Sequence, residues 1–341
     1  MSKHRIAVRR DSPKTEPTQA STSEIAGTSP RSALAPLLLL LAGSGCAALI
    51  YEIVWFQLLQ LVIGSSAVSL GLLLAFYMGG LCLGSAAFGR FVSARLDPRR
   101  VYALLELGIA TFGIVALFGV PLIGRLYLAG PTNGLAGWVF RGAIAGLCLL
   151  PPTLLMGCTF PAVSRWVGPA PGRVSWLGLL YSANTFGAVA GCVLAGFYLL
   201  RVHDLGVATY AAAAINVAAA LVAFWLPANA ASAARATADV KQPEVVPPTR
   251  ARGVTWIYAS IALSGLAALG AEVVWTRLLS LLLGATVYTF SIILAVFLVG
   301  LWAGSGAGSV VIRRVREPRM ALAVCQILIA VACGWTAHAP G

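Results

Sequence analysis

The sequence predicts an all-α integral membrane protein, six transmembrane helices followed by three of a second bundle. Three observations carry that prediction. The 341 residues are 59% hydrophobic and only 10% charged, against about a quarter charged in a soluble domain, and the mean hydropathy is +0.87. Apolar runs long enough to cross a bilayer, which takes about 20 residues, recur along the chain. A stretch near the start, 44-SGCAALIYEIVW-55, returns as 264-SGLAALGAEVVW-275.

Taken in order, the apolar runs predict nine spans at roughly 33–60, 66–88, 101–123, 142–164, 174–198, 206–226, 254–280, 286–311 and 320–337. Residues 1–32, polar and rich in Ser, Thr and Pro, read as a disordered cytoplasmic tail. Residues 33–226 form the first six-helix bundle, 227–253 a cytoplasmic linker without an apolar run, and 254–341 an incomplete second bundle. The basic residues alternate with this count. Twenty of the 24 Lys and Arg fall in the tail and the even-numbered loops, and four (Arg125, Arg141, Arg201, Arg277) in the odd-numbered ones. Excess basic residues mark cytoplasmic loops, so the amino terminus is expected in the cytoplasm. The formal charge of +13 is thereby explained by orientation, with the lipid bilayer as the partner and nucleic acid excluded.

The repeat is gapless. Residues 44–89 and 264–309 align at an offset of 220 with 19 identities in 46 positions, among them Glu52/Glu272, Trp55/Trp275, Gly80/Gly300 and Gly84/Gly304. The offset also pairs 97-DPR-99 with 317-EPR-319, and Glu106 with Gln326. An even number of spans separates the copies, so both have the same topology. That parallel arrangement is the layout of major facilitator-type (MFS-like) transporters. A full second bundle would extend well beyond residue 341, so the chain is expected to be a truncated product, a fragment or one piece of a split protein.

Several motifs carry a resemblance. The runs 44-SGCAALIYEIVWFQLLQLVIG-64, 79-GGLCLGS-85, 103-ALLELGIA-110, 150-LPPTLLMGCTFPAVSR-165 and 180-LYSANTFGAVAGCVLAGF-197 resemble the membrane portion of bacterial fused MFS/spermidine synthase-like proteins. The resemblance covers about residues 33–337. It implies a membrane domain that anchors or serves a polyamine-related enzyme, with a soluble aminopropyltransferase-like domain, or the missing helices, as partner. No such catalytic domain lies in this sequence, so the chain by itself is not expected to be that enzyme. Two other functions stay open: an MFS-like carrier of a small cationic or amphipathic substrate using intramembrane carboxylates, and an inactive fragment.

The candidate residues follow from what lipid makes unfavourable. A charged side chain at the bilayer centre costs roughly 2.5–3.5 kcal/mol on insertion scales. Glu52 and Glu272 therefore belong in a bundle interior or cavity, facing each other across the repeat axis. They read either as a site for a cation or proton, or as structural carboxylates. Glu106 is a third such acid, either a partner of Glu52 in a polar network or a hydrogen-bonded group near the cytoplasmic end. Tyr181 and Asn184, in the most polar patch within a span, line the cavity or join helices. Gly80, Gly84, Gly300 and Gly304 form GxxxG pairs that permit close helix packing. Phe88 stands near the place where the second loop of major facilitators carries an Asp, and Pro151 and Pro152 are expected to kink or interrupt the fourth helix. The string 304-GSGAGS-309 follows a span rather than a strand and reads as packing, not as a nucleotide loop. The seven cysteines and three histidines form no CxxC pair or cluster, so neither a metal nor another cofactor is expected.

Overall fold

Lipid offers no hydrogen-bond partners, so an apolar chain must satisfy its backbone internally, and helices do this within one segment. The computed structural model shows that outcome throughout. It describes residues 30–63, 66–93, 95–127, 134–167, 173–226, 254–284, 286–311, 315 and 317–338. The predicted linker 227–253 and nearly all of the predicted tail lie outside these residues.

Nine long helices run through the described residues: α1 Pro30–Ile63, α2 Ser66–Phe91, α3 Pro98–Tyr127, α4 Gly134–Val167, α5 Arg173–Leu194, α6 Leu205–Trp225, α7 Val254–Leu283, α8 Val287–Val311 and α9 Pro318–His338. A π-helical turn, Ala195–Leu199, and a last α-turn, Leu200–Val202, prolong α5. Each predicted span falls on one of these helices. Eight, α1 to α8, are long and apolar enough to cross a membrane. The expected ninth span is the exception, because the apolar part of α9 is confined to Arg319–Trp335.

Local chemistry sets the boundaries. Pro98 opens α3 with its fixed φ, and Asp97 just before it accepts the Arg99 N–H at 3.0 Å. Asp204 caps α6 by accepting from the Val207 N–H at 2.8 Å, as short acids do at helix starts. Gly284 ends α7 in the left-handed region at φ +89°. The prolines of α4 do not break it: the helix continues through Pro151, Pro152 and Pro161. The Thr153 hydroxyl donates back to the Leu149 carbonyl at 2.8 Å, and the segment is braced along its length by α2.

Two glycine-lined seams hold the first six helices together. Between α2 and α4, a Cβ on Gly80 would stand 1.9 Å from Thr153 Oγ1, one on Gly84 2.0 Å from the Leu154 carbonyl oxygen, and one on Gly157 2.3 Å from that of Leu81. Between α1 and α5, Gly187 and Gly191 back onto the carbonyls of Ala42 and Cys46, and Gly45 onto that of Asn184. Backbone contact of this kind is how helices associate in lipid, where no hydrophobic force separates tail from side chain. The packing expected of Gly300 and Gly304 has no counterpart among the described residues: nothing comes within 4 Å of a Cβ at either.

Helix α1 is the centre, packed on α5 and α6, while α3 bridges α4 and α6. One core gathers around Tyr51, Trp55 and Tyr77, and a second, towards the other end of α1, around Leu41, Tyr102 and Trp166. Helix α8 docks on α5, with Phe290 against Phe56 at 4.3 Å between ring centroids and Ser291 against Gly196 of the π-helical turn.

Arginines tie several helix ends together at one end of the bundle. The Arg99 guanidinium pairs with Asp97 at 2.6 Å and donates to the Leu226 carbonyl, at the end of α6, at 2.5 Å. Arg165, at the end of α4, donates to the Val92 carbonyl at 3.0 Å and lies 4.3 Å over the Phe88 ring. Phe88, in the place where an Asp was the expected residue, thus holds a cation by its ring face rather than by a charge.

Candidate functional site

The acids that the sequence singles out are buried to a degree that lipid-facing polarity does not explain. Glu52 is 2% exposed, Glu272 3% and Glu106 0%. Nine-tenths or more of each side chain is therefore out of reach of solvent, and their surroundings decide their roles.

Glu52 sits on the face of α1 turned to α5, α2 and α7. Cys192, Tyr77 and Glu272 all lie within electrostatic range of it. Glu52 and Glu272, expected to face each other, thus lie within electrostatic range. Tyr77 is held in place by donating to the Ala48 carbonyl at 3.3 Å, and its ring meets Trp55 edge-on at 6.3 Å. Trp55 in turn stacks on Tyr51 at 5.4 Å. Several buried polar atoms in this region have no hydrogen-bond partner: Glu52 Oε1, Trp55 Nε1, Thr276 Oγ1 and Ser291 Oγ. Such atoms are normally satisfied, and a concentration of them beside two carboxylates is what a polar ligand site looks like.

A groove of about 460 Å³ opens between α7 and α8 with Glu272 in its wall. Trp275, Ile292, Val296 and Phe297 make its lining otherwise apolar, and Gly300 contributes a bare stretch of backbone. The groove therefore offers one carboxylate at the edge of a hydrocarbon surface.

Glu106 belongs to a different centre. It accepts a hydrogen bond from the Asn216 side-chain amide across the α3–α6 interface, with Ser44 and Tyr102 bordering the same carboxyl group. Ser44 is eight residues from Glu52 on α1, about 12 Å at helical rise, and the partner across the interface that the structure gives Glu106 is Asn216. Tyr51 is within range of Glu106. The repeat reproduces this contact: Gln326 Nε2 donates to Ser264 Oγ at 3.0 Å, the two positions that the 220-residue offset matches to Glu106 and Ser44.

Asn184 presses its backbone on Gly45 at the α1–α5 seam. Tyr181 is 43% exposed and edge-on to Phe160 at 6.3 Å between centroids. Sequence reading missed Asn216, Cys192 and Ser291. Asn216 had a signal: it is the one carboxamide in the Ala-rich run of α6, and the penalty that flags an acid in lipid applies to an amide in weaker form. Ser291 had none, since a serine in a span is common. Among the described residues no cluster of His, Cys, Asp and Glu with metal-binding arrangement occurs. No family model, curated protein or solved structure matches the chain.

Proposed function

We propose that this multi-pass membrane protein binds and carries a small organic cation at the paired carboxylates Glu52 and Glu272. One observation carries the reading: two acids at repeat-matched positions are both buried and within electrostatic range of each other. Two like charges held together away from water are costly unless a cation or protons neutralise them. The groove beside Glu272 narrows the class. An apolar wall with Trp275 and a single acid suits an amine carrying an alkyl or aryl body, through an ion pair, hydrophobic burial and cation–π attraction to the indole.

The sequence resemblance to the membrane portion of spermidine synthase-like proteins suggests a linear polyamine instead, delivered to or received from a soluble aminopropyltransferase-like partner. The matched Ser44–Glu106 and Ser264–Gln326 contacts support a parallel, MFS-like repeat for either ligand. The distribution of basic residues supports a cytoplasmic amino terminus, and the family resemblance suggests a bacterial inner membrane.

Reconstituted protein in liposomes tests the reading directly. Titrated with an amphipathic monoamine and separately with spermidine, the wild type should show a saturable change in tryptophan emission and uptake of the same ligand. Glu52→Gln and Glu272→Gln should each weaken binding at least tenfold. Unchanged binding in both single variants, or no saturable response to either amine in the wild type, removes the proposal.

A further inference from the structure

Glu106 of α3 and Asn216 of α6 meet across a helix interface, and what they form is independent of the Glu52–Glu272 reading. We infer that Glu106 and Asn216 form a carboxylic acid–amide pair, with a bound proton on Glu106 Oε1 donated to Asn216 Oδ1. Both side chains are 0–1% exposed, and the Asn216 amide N–H already donates to Glu106 Oε2. What remains unpartnered is one oxygen on each, Glu106 Oε1 and Asn216 Oδ1. With Glu106 ionised, Oε1 and the amide Oδ1 are both acceptors, and neither can satisfy the other. A single proton converts Oε1 into a donor and satisfies both atoms at once. The pair then has two antiparallel hydrogen bonds and no net charge.

The neighbours agree with an uncharged group. From α1 the titratable side chain facing Glu106 is Tyr51, and from α3 itself Tyr102, both phenols. Tyr102 OH lies 3.3 Å from the Leu40 carbonyl and, with the Ser44 hydroxyl of α1, also borders the Glu106 carboxyl group. From α6 the facing group is Asn216, which does not titrate. From α4, Leu155 lies beside Gly108, and Arg165 is turned to Val92 and Phe88. Among the described residues, the side chains that act on the carboxyl group, Asn216, Ser44 and Tyr102, are all uncharged. The repeat supplies a second argument. The position matched to Glu106 is Gln326, which makes its contact to Ser264 as a neutral amide. A position that tolerates Gln in one copy is one where the other copy's Glu functions without its charge. The site's ligand is thus a proton, and its release would leave two facing acceptors that push α3 and α6 apart.

Infrared spectroscopy of the membrane-reconstituted protein reads the proton directly. In a Glu52→Gln, Glu272→Gln background at neutral pH, the spectrum should contain the carbonyl band of a protonated carboxyl group, shifted by deuterium oxide. Glu106→Gln should abolish it while keeping the fold, because an amide–amide pair preserves both hydrogen bonds. Asn216→Leu should move the band to higher frequency, as the acid loses its partner. Absence of a protonated-carboxyl band in that background overturns the inference without any change at Glu106. So does a band insensitive to Glu106→Gln, or one that appears only when sodium and potassium are withdrawn, which would mean that a metal cation bridges the two oxygens.

Discussion

Gly84 and Gly304 occupy matched positions in the repeat, yet the structure assigns them opposite sensitivities to one added methyl group. A Cβ at Gly84 would lie 2.0 Å from the Leu154 carbonyl oxygen and 2.9 Å from its carbon, both backbone atoms of α4. Real contacts essentially never fall below 3.0 Å, so α2 and α4 must separate locally by about 1 Å. That movement also slackens the neighbouring contacts of Gly80 on Thr153 and Gly157 on Leu81. Overpacking a tight interface costs typically about 1–3 kcal/mol, and with rigid helix backbone on both sides the upper end is expected for Gly84→Ala. At Gly304 a Cβ meets nothing within 4 Å, and Ala is the better helix former, so Gly304→Ala should be neutral or slightly stabilising. Thermal unfolding of the purified protein in mild detergent, followed by monodispersity on gel filtration, measures both. Equal stability of Gly84→Ala and wild type would refute the close α2–α4 crossing. A loss at Gly304 matching that at Gly84 would refute the exposure of the second face and show that another helix covers it.

The end-of-bundle arginines make two further predictions. The Arg99 guanidinium, hydrogen-bonded to Asp97, holds that carboxyl below the usual carboxylate range. A depressed folded-state value stabilises above the unfolded one and is lost as pH falls through the folded one. The difference in unfolding midpoint between wild type and Asp97→Asn should therefore be constant at neutral pH and vanish in acid, below the normal carboxylate range. A difference that grows on acidification contradicts the pairing. Arg165→Gln removes both the bond to Val92 and the contact with Phe88, and should lower stability by about 1–2 kcal/mol. Phe88→Leu, which keeps the apolar packing and only the first of these, should lose less; an equal loss would place the energy in the ring's burial rather than in its face.

How far the site could be read in advance differs residue by residue. Glu52 and Glu272 stood out because an acid is the least favourable residue in hydrocarbon, and their matched spacing told that both occupy the same place in two copies. Glu106 was visible for the same reason, but its partner was not. Asn216 lies 110 residues further on, and nothing in a helical period says which face of α6 meets which face of α3. The glycines show the same division. Gly80 and Gly84 advertised a close crossing by their spacing, and the crossing exists. Gly187 and Gly191, with identical spacing inside α5, form an equally tight seam with α1, while Gly300 and Gly304 repeat the motif and touch nothing described. Spacing states that a helix can approach closely; it does not supply the second helix.

The sequence alone determined the helices, their order and the repeat, because those depend on local quantities: twenty-residue runs of transfer free energy, a proline at a helix start, a fixed offset between similar strings. Only the tertiary structure decided that α4 continues through its prolines, that Tyr181 packs against Phe160, and that Glu106 takes Asn216 of α6 as its partner. Each of these depends on the distance between residues far apart in the chain, and within a membrane, where every helix surface is apolar, hydropathy does not encode which surfaces meet.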